Sequence, residues 1–331
     1  MILNIQHCFP RVQNVLIEPP NDKLRQLFLT ERNLSNKLLT ELPENPIYAQ
    51  YSSIHLSPSL SSPITQQSLL FNECSNIETI QIDDHCCPGL SSFYLLDKPN
   101  LVSICIGSHC FDFQGSGDYY FSLQNLPRLQ RLQIGKKSFL NVNAFMLKNL
   151  PSLTEVSIGK FSFSAEGYNN CACTFYDLPK LKELSFSSSS FHNYCFIRLT
   201  DLPLLQSLVF GKSTFCCKQQ NLAFQIKSLP ALQSLVFRSR SFAYNHSLYL
   251  SGFPELKEVV FEANTFTEKN GKNECVIQKC PQLVSLQFTG SSFTYGRQLV
   301  LSGMLLLLLL LLLLLSNLYR GRPIERIDFY Q

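Results

Sequence analysis

Two His-Cys pairs are the residues of this chain with the clearest capacity for metal chemistry. They are His85-Cys86 and His109-Cys110, at equivalent places in two successive units of the repeat described below. Imidazole nitrogen and thiolate sulfur are ligands that zinc prefers, and stacked repeats would bring the pairs about 5 Å apart. Consecutive extended residues point to opposite faces, however, so four ligands would not converge easily. We therefore expect no metal, and we keep these four residues as a weak candidate site.

Catalytic arrangements are absent from the sequence. The six histidines lie in unrelated settings, and G-x-S-x-G, P-loop, H-E-x-x-H and G-x-G-x-x-G motifs are missing. Cys171-x-Cys173, like Cys275 with Cys280, lacks the paired spacing of zinc ribbons or redox motifs. The sequence therefore predicts a protein that is not an enzyme and uses no cofactor.

Composition limits the classes of partner. The chain has 331 residues, of which 45% are hydrophobic and only 16% charged, with 26 Phe and no Trp. Its net charge of +4 is spread over 28 basic and 24 acidic residues, without the basic stripe that nucleic-acid binding needs. We expect a large apolar core and no nucleic-acid partner.

The 13 cysteines are odd in number and scattered along the chain. Most of them stand where the local pattern calls for an apolar residue. We therefore expect small buried thiols in a reducing compartment, and no disulfide framework.

An internal repeat dominates the sequence. Successive units are separated by 24, 28, 24, 28, 24, 27, 24 and 27 residues, and this alternation suggests that a pair of units was duplicated. The units begin at a Leu-Pro or its equivalent: Cys74, Lys98, Leu126, Leu150, Leu178, Leu202, Leu229, Phe253 and Cys280.

Each unit has the pattern L-x-x-L-x-[IF]-x(4)-F. One example is Leu129, Leu132, Ile134 and Phe139. The alternation of apolar and polar residues in the middle of the unit is typical of a strand with one face turned inward. Because no single unit can bury its apolar face alone, nine stacked units would bury a continuous column of Leu and Phe.

A second alternating apolar pair precedes most of the unit starts, so the return arm should also be a strand. The sequence therefore predicts a β-rich solenoid of about nine units with strand on both sides. The pairs are Phe93/Leu95, Phe121/Leu123, Phe145/Leu147, Ile197/Leu199, Phe224/Ile226, Leu248/Leu250 and Leu299/Leu301.

The repeat resembles the leucine-rich repeat family. The IG-x-x-SF stretches at Ile134 to Phe139 and at Ile158 to Phe163 are similar to the IG-x-x-AF of the BspA-like, treponemal-type subclass. This resemblance covers residues 69–303 and implies a protein-interaction or adhesion scaffold, often on the surface of microbes, without catalysis. The family's asparagine ladder position differs here, so the backbone at that turn must be satisfied in another way. That position holds Lys137, Phe161, Ser189, Ser213, Arg240, Asn264 and Ser291.

Residues 1–68 precede the regular repeat. We expect one divergent repeat at Phe9 to Ile17, an amphipathic helix at Lys23 to Leu42 that caps the solenoid, and a Ser/Pro-rich loop or linker at Ser52 to Ser68.

Residues 304–331 contain eleven consecutive leucines, Leu305 to Leu315, and a basic tail. The stretch Gln298 to Tyr319 has no charge and could span a bilayer core of about 30 Å as a helix. Three interpretations stay open: a membrane anchor, a low-complexity expansion or coding-model error in place of a repeat, and a buried terminal cap. A further repeat start over Ile324, Ile327 and Phe329 favours the second of these.

One outward column of the main strands reads Gln81, Cys105, Gln133, Ser157, Ser185, Val209, Val236, Val260, Gln287. The three successive valines would form an exposed apolar patch of the kind that marks a binding site. The candidate partner-binding residues are Val209, Val236, Val260, Glu155, Glu183, Glu258, Gln133 and Gln287.

We therefore expect a monomeric, cytoplasmic protein-binding scaffold. The alternative is a single-pass membrane protein that displays the same solenoid as a surface or adhesion protein. Oxidised cysteines, or a glycan at the sequon Asn245-x-Ser247, would favour the alternative.

Overall fold

Short parallel strands make up the regular structure of this chain. The structure is a computed structural model that describes residues 14–17, 52–56, 74–88, 90, 92–112, 119–165, 171–217, 223–245, 248–267, 274–293, 298–302 and 326–330. Every strand pair in these ranges is parallel, and no helix occurs in them.

Eleven strands form one long sheet, which we call the front sheet. They pair in chain order, from the N-terminal to the C-terminal end of the solenoid. The strands are β1 (Asn14–Ile17), β2 (Ser53–Leu56), β3 (Thr79–Ile82), β5 (Ser103–Ile106), β7 (Arg131–Ile134), β9 (Glu155–Ile158), β11 (Glu183–Phe186), β13 (Ser207–Phe210), β15 (Ser234–Phe237), β17 (Glu258–Phe261) and β19 (Ser285–Phe288).

The return arms form two further sheets. The back sheet contains β4 (Phe93–Leu96), β6 (Tyr120–Gln124), β8 (Ala144–Lys148), β10 (Cys171–Tyr176), β12 (Tyr194–Thr200) and β14 (Ala223–Lys227). The terminal sheet contains β16 (Leu248–Ser251), β18 (Glu274–Gln278), β20 (Gln298–Ser302) and β21 (Arg326–Tyr330). The predicted solenoid with strand on both sides is thereby confirmed.

Alternating side chains decide which face of each strand turns inward. In β7, Leu132 and Ile134 are buried while Arg131 and Gln133 are exposed. The register keeps each position in a column, so that Leu132 pairs with Ile104 on one side and with Val156 on the other. Burial of one apolar column against the next stabilises the stack, because a single coil has no core of its own.

Stacked phenylalanine rings run through the interior. From Phe111 to Phe293, one column of eight rings continues with centroid separations between 4.4 and 5.6 Å. Rings from the strands meet this column edge-on, as Phe145 meets Phe163 at 4.9 Å. Both arrangements are favourable for aromatic pairs and add to the burial of apolar area.

The coils turn mostly at left-handed residues that are not glycine; Gly252 and Gly290 are the exceptions among the described residues. Within one coil, Asn125, Lys137 and Phe139 have φ values of 56°, 53° and 57°. Asparagine tolerates this region, whereas lysine and phenylalanine pay a cost of about 1 kcal/mol or more. The amide of Lys137 donates to the carbonyl of Lys160 in the following coil, and that of Phe139 donates to the carbonyl of Cys110 in the preceding one. Hydrogen bonds between coils thus hold the strained turn.

Buried serine hydroxyl groups link neighbouring coils at Ser138 and Ser162, next to the asparagine ladder position. Ser162 Oγ donates to the carbonyl of Gly135 at 2.7 Å and accepts the amide of Ser138 at 3.2 Å. Ser138 Oγ likewise donates to the carbonyl of Gly107 at 2.8 Å and accepts the amide of Cys110 at 3.2 Å. The serine of each IG-x-x-SF stretch therefore satisfies backbone groups of the neighbouring coil.

The N-terminal region differs in part from expectation. Strand β1 pairs with β2 in the front sheet, and it lies in the segment Phe9 to Ile17 for which we expect a divergent repeat. Strand β2 itself lies within the segment Ser52 to Ser68, for which we expected a loop. Its register with β3 continues the buried columns, since Leu56 pairs with Ile82. The helix expected at Lys23 to Leu42 lies outside the described residues.

The strand before the leucine tract, β20, pairs with the strand after it, β21. Leu299 and Leu301 of β20 pair with Ile327 and Phe329 of β21. Ile327 and Phe329 thus belong to the return side of the solenoid. We had expected them to lie at the start of a repeat unit instead. The separation of 28 residues between Leu299 and Ile327 equals the long spacing of the repeat.

Residues 303–325, which include the leucine tract, lie outside the described residues. In the ranges that the structure describes, no helix has the length and apolarity that crossing a bilayer requires.

Candidate binding surface

Three valines stand in register on the outer side of the front sheet. Val209 of β13 pairs with Val236 of β15, which pairs with Val260 of β17. All three side chains are half-buried, between inward neighbours that are fully buried. Neighbouring strands are about 4.8 Å apart, so the valine patch, defined as these three residues, extends about 10 Å across the sheet.

Polar residues frame the valine patch. The neighbouring column holds Ser207, Ser234 and Glu258 in register. Glu258 accepts hydrogen bonds at 3.4 Å from Ser234 Oγ and from Gln287 Nε2. Among the residues that the structure describes, Glu258 forms no ion pair, so its carboxylate is available to a basic group of a partner.

An ion pair lies just beyond the valines, after the strands end. Arg238 contacts Glu262, and the amide and hydroxyl of Ser239 donate to Glu262 Oε2 at 3.0 and 3.2 Å. Partial burial alone would raise the pKa of the Glu262 carboxyl, but the hydrogen bonds from Arg238 and Ser239 outweigh it and lower that pKa. Glu262 is therefore ionised at neutral pH, and its charge is shared with Arg238.

The other predicted residues are distributed along the same face. Glu183 pairs in register with Ser207, beside the valine patch. Glu155 forms an ion pair with Arg131 at 2.8 Å, on strands further toward the N-terminus. Gln133 lies three strands from Val209, because Ser157 and Ser185 stand between them in the column. The structure thus brings Glu183, Glu258 and Gln287 to the valines, but neither Glu155 nor Gln133.

The two His-Cys pairs diverge. The rings of His85 and His109 stack with centroids 4.8 Å apart on the solvent side. The thiols point inward, where Cys86 Sγ donates to the carbonyl of Leu56 at 3.5 Å and Cys110 Sγ to that of Asp83 at 3.1 Å. These two cysteines occupy the positions that serines hold in later coils. Burial raises the pKa of Cys86 to about 12 and that of Cys110 to about 11.

The described residues contain no group of three or more His, Cys, Asp or Glu placed to hold a metal ion. At the His-Cys pairs the imidazoles face solvent and the thiols are protonated and bonded to carbonyls. This geometry places two imidazole rings on one side of the turn, and neither thiol of the two pairs lies beside them.

A cluster on the outer face was not recognised from the sequence. His55 Nε2 lies 2.9 Å from Asp83 Oδ1, and Gln81 Nε2 donates to the same oxygen at 3.4 Å. The register puts Gln81 between His55 and Cys105, so the imidazole does not contact the thiol. Burial raises the pKa of Cys105, and a protonated thiol without an adjacent base is a poor nucleophile. His55 was missed because it lies in the segment that we had assigned to a loop.

One disulfide corrects the expectation of reduced thiols. Cys195 and Cys217 are bonded, with Cα atoms 5.6 Å apart, and they join the coil that contains β12 to the coil that leads into β14. Ten other described cysteines form no disulfide, and nine of them, all except Cys105, are buried. Buried thiols agree with the sequence at those nine positions, whereas at Cys195 and Cys217 the expectation of reduced thiols was wrong.

Comparisons with known proteins add little to this geometry. No protein-family model matches the sequence. No curated protein matches it either. Among solved structures, the chain is similar to a leucine-rich repeat protein from Bacteroides ovatus ATCC 8483, with 12% sequence identity, coverage of 86% of this chain and 85% of that chain, and a TM-score of 0.20. So low a TM-score carries no argument, and the fold assignment rests on the repeat and on the strand register.

Proposed function

We propose that this leucine-rich-repeat solenoid is a protein-interaction scaffold, which binds its partner on the outer face of the front sheet with the valine patch at the centre. Solenoids present extended surfaces of this kind, built from one position of every repeat. The proposal includes no catalytic step. It keeps the expectation that the chain acts as a monomer.

The in-register stacking of Val209, Val236 and Val260 carries the proposal. A solvent-facing strand position is normally polar, and three aliphatic residues on adjacent strands make a continuous apolar surface. Glu183 and Glu258 border this surface, while serines separate it from the rest of the sheet. A fitting partner places apolar side chains on the valines and basic side chains at the two carboxylates.

Site-specific photocrosslinking tests this proposal. Benzoylphenylalanine at position 236 should crosslink one partner in cells, and the same group at Ser157 of the same face should crosslink it weakly. The partner identified in this way is then purified, and its affinity is measured for the wild type and for Val236→Glu. We expect a loss of at least about 2 kcal/mol, because a charge would be buried at the centre of the interface.

Ser103→Glu is the matched control, since Ser103 is a half-buried outward position of the front sheet, four strands away from Val209. It should leave the affinity unchanged. Equal affinity of Val236→Glu and wild type, or equal crosslinking from positions 236 and 157, would contradict the proposal.

A second candidate is the surface or adhesion protein. The Cys195–Cys217 disulfide favours it, because stable disulfides belong to oxidising compartments. The sequon residue Asn245 is only 4% exposed, which does not favour a glycan there. The proposed anchor over Gln298 to Tyr319 would begin with the strand β20. Its two flanks would lie on opposite sides of a bilayer core about 30 Å thick, whereas β20 and β21 pair side by side.

Alkaline carbonate extraction distinguishes the two candidates. Membranes are prepared from cells that express the full chain or a version that ends at Gly303. For a scaffold without an anchor, we expect both versions in the supernatant. If only the full chain stays with membranes that float on a density gradient, residues 304–331 anchor it and the second candidate is favoured.

A further inference from the structure

The charged residues of the two long sheets differ in sign. Those in the front-sheet strands are Arg131 and the carboxylates Glu155, Glu183 and Glu258. Those in the six back-sheet strands are Lys148, Arg198 and Lys227, and none of these strands contains a carboxylate. Within the strands themselves, the net charge is therefore negative in the front sheet and positive in the back sheet.

The three cations lie together on four adjacent strands. Lys148 of β8 pairs in register with Tyr176 of β10, which pairs with Thr200 of β12, which pairs with Lys227 of β14. Arg198 precedes Thr200 by two residues, so it points to the same side of β12. Lys148, Arg198 and Lys227 are exposed.

Tyr176 forms the floor of this basic strip. The ammonium of Lys148 lies 5.9 Å from the centroid of its ring and the guanidinium of Arg198 lies 5.4 Å from it. Cation–π contacts hold both groups over one half-buried ring. No carboxylate in the part of the chain that the structure describes forms an ion pair with any of the three cations.

We propose that Lys148, Tyr176, Arg198 and Lys227 form a second binding surface, which takes an extended acidic segment of a protein partner. Three strand steps of about 4.8 Å separate Lys148 from Lys227 by about 14 Å. Carboxylates four residues apart on an extended chain are about 13 Å apart. A segment that crosses the strands, with acidic residues at alternate positions, can therefore reach Lys148, Arg198 and Lys227 in turn.

Two aspartates limit this surface on one side. Asp177 and Asp201 follow β10 and β12 directly, in the turns that lead to the next front strands. Their charges repel an acidic ligand that shifts toward the turns. This surface goes beyond the proposed function of the valine patch, since it lies on the opposite sheet.

Fluorescence anisotropy tests the proposal with a labelled peptide in which glutamate alternates with serine. The full chain should bind it, more weakly as salt is added, and should not bind the version with glutamine in place of glutamate. Lys148→Ala/Arg198→Ala should weaken binding on the order of tenfold. Lys180→Ala/Lys182→Ala removes the same charge from exposed lysines outside the back sheet and should leave the affinity unchanged.

Neutralising the two aspartates should act in the opposite direction, so Asp177→Asn/Asp201→Asn should bind the acidic peptide more tightly. Val236→Glu should not affect it, which keeps this test separate from that of the valine patch. The proposal fails if Lys148→Ala/Arg198→Ala binds the peptide like the wild type. It also fails if Lys180→Ala/Lys182→Ala weakens binding as much as Lys148→Ala/Arg198→Ala does. Tighter binding of an oligonucleotide or of phosphatidylserine vesicles than of the peptide would assign the surface to another class of ligand and overturn it.

Discussion

Phe163→Ala is expected to lower the free energy of unfolding by about 4 kcal/mol. The Phe163 ring is 0% exposed and stacks between Phe139 at 5.2 Å and Phe191 at 5.0 Å. It also meets Phe121 and Phe145 edge-on at 5.4 and 4.9 Å. Removing it leaves a cavity that the neighbouring coils cannot close without losing their own register.

The chain provides a matched control two residues away. Phe161 has the same left-handed backbone, with φ of 62° against 55° for Phe163, but its side chain is 48% exposed. Phe161→Ala should change stability by no more than about 0.5 kcal/mol. Urea unfolding followed by tyrosine fluorescence and far-UV circular dichroism measures both variants, since the chain has no tryptophan. Equal losses at positions 161 and 163 would mean that the stacked rings do not stabilise the core.

Gly135→Ala is expected to destabilise the protein by about 2 kcal/mol, although it adds one methyl group to a residue with an ordinary backbone. A Cβ atom at Gly135 would overlap backbone atoms of Gly107 and Ser108 in the preceding coil, well inside the 3.0 Å that real Cβ atoms keep. The coils would have to separate there, which lengthens the hydrogen bond from the Gly135 amide to the carbonyl of Ile106. Thermal unfolding of the variant measures this effect.

Ser187 occupies the same position two coils after Gly135 and already has a Cβ atom. Ser187→Ala therefore removes only a hydroxyl and should leave the melting temperature almost unchanged. A normal melting temperature for Gly135→Ala would show that the coils can separate at no cost, and that the close approach at this glycine does not constrain the stack.

The apolar repeat predicted the core because burial needs only residue type and spacing. Leu129, Leu132, Ile134 and Phe139 are at most 2% exposed, as the pattern indicated. The return strand β10 was overlooked although its sequence alternates, since the inward positions Cys171 and Cys173 were read individually rather than as part of a period-2 pattern. Cysteine in such a column behaves as a small apolar residue.

The turns could not be predicted in the same way. A phenylalanine with positive φ contradicts local preference, and at Phe139 and Phe163 the cost is offset by contacts with other coils: a hydrogen bond to the carbonyl of the preceding coil and the stacking of the rings. The valine patch was predictable, because outward positions follow from strand period and unit spacing. The basic strip was not, because the contacts of Lys148 and Arg198 with Tyr176 depend on the register of the back sheet, which the sequence does not fix.

The Cys195–Cys217 bond bears on how the solenoid would yield to mechanical force. A stack whose coils contact only their neighbours peels from its ends, and each released coil adds its own contour length to the chain. The chain between Cys195 and Cys217 is closed into a loop and cannot be pulled straight while the bond is intact. Tension therefore bypasses that loop, and an adhesion protein held at both ends would extend further under reducing conditions than under oxidising ones.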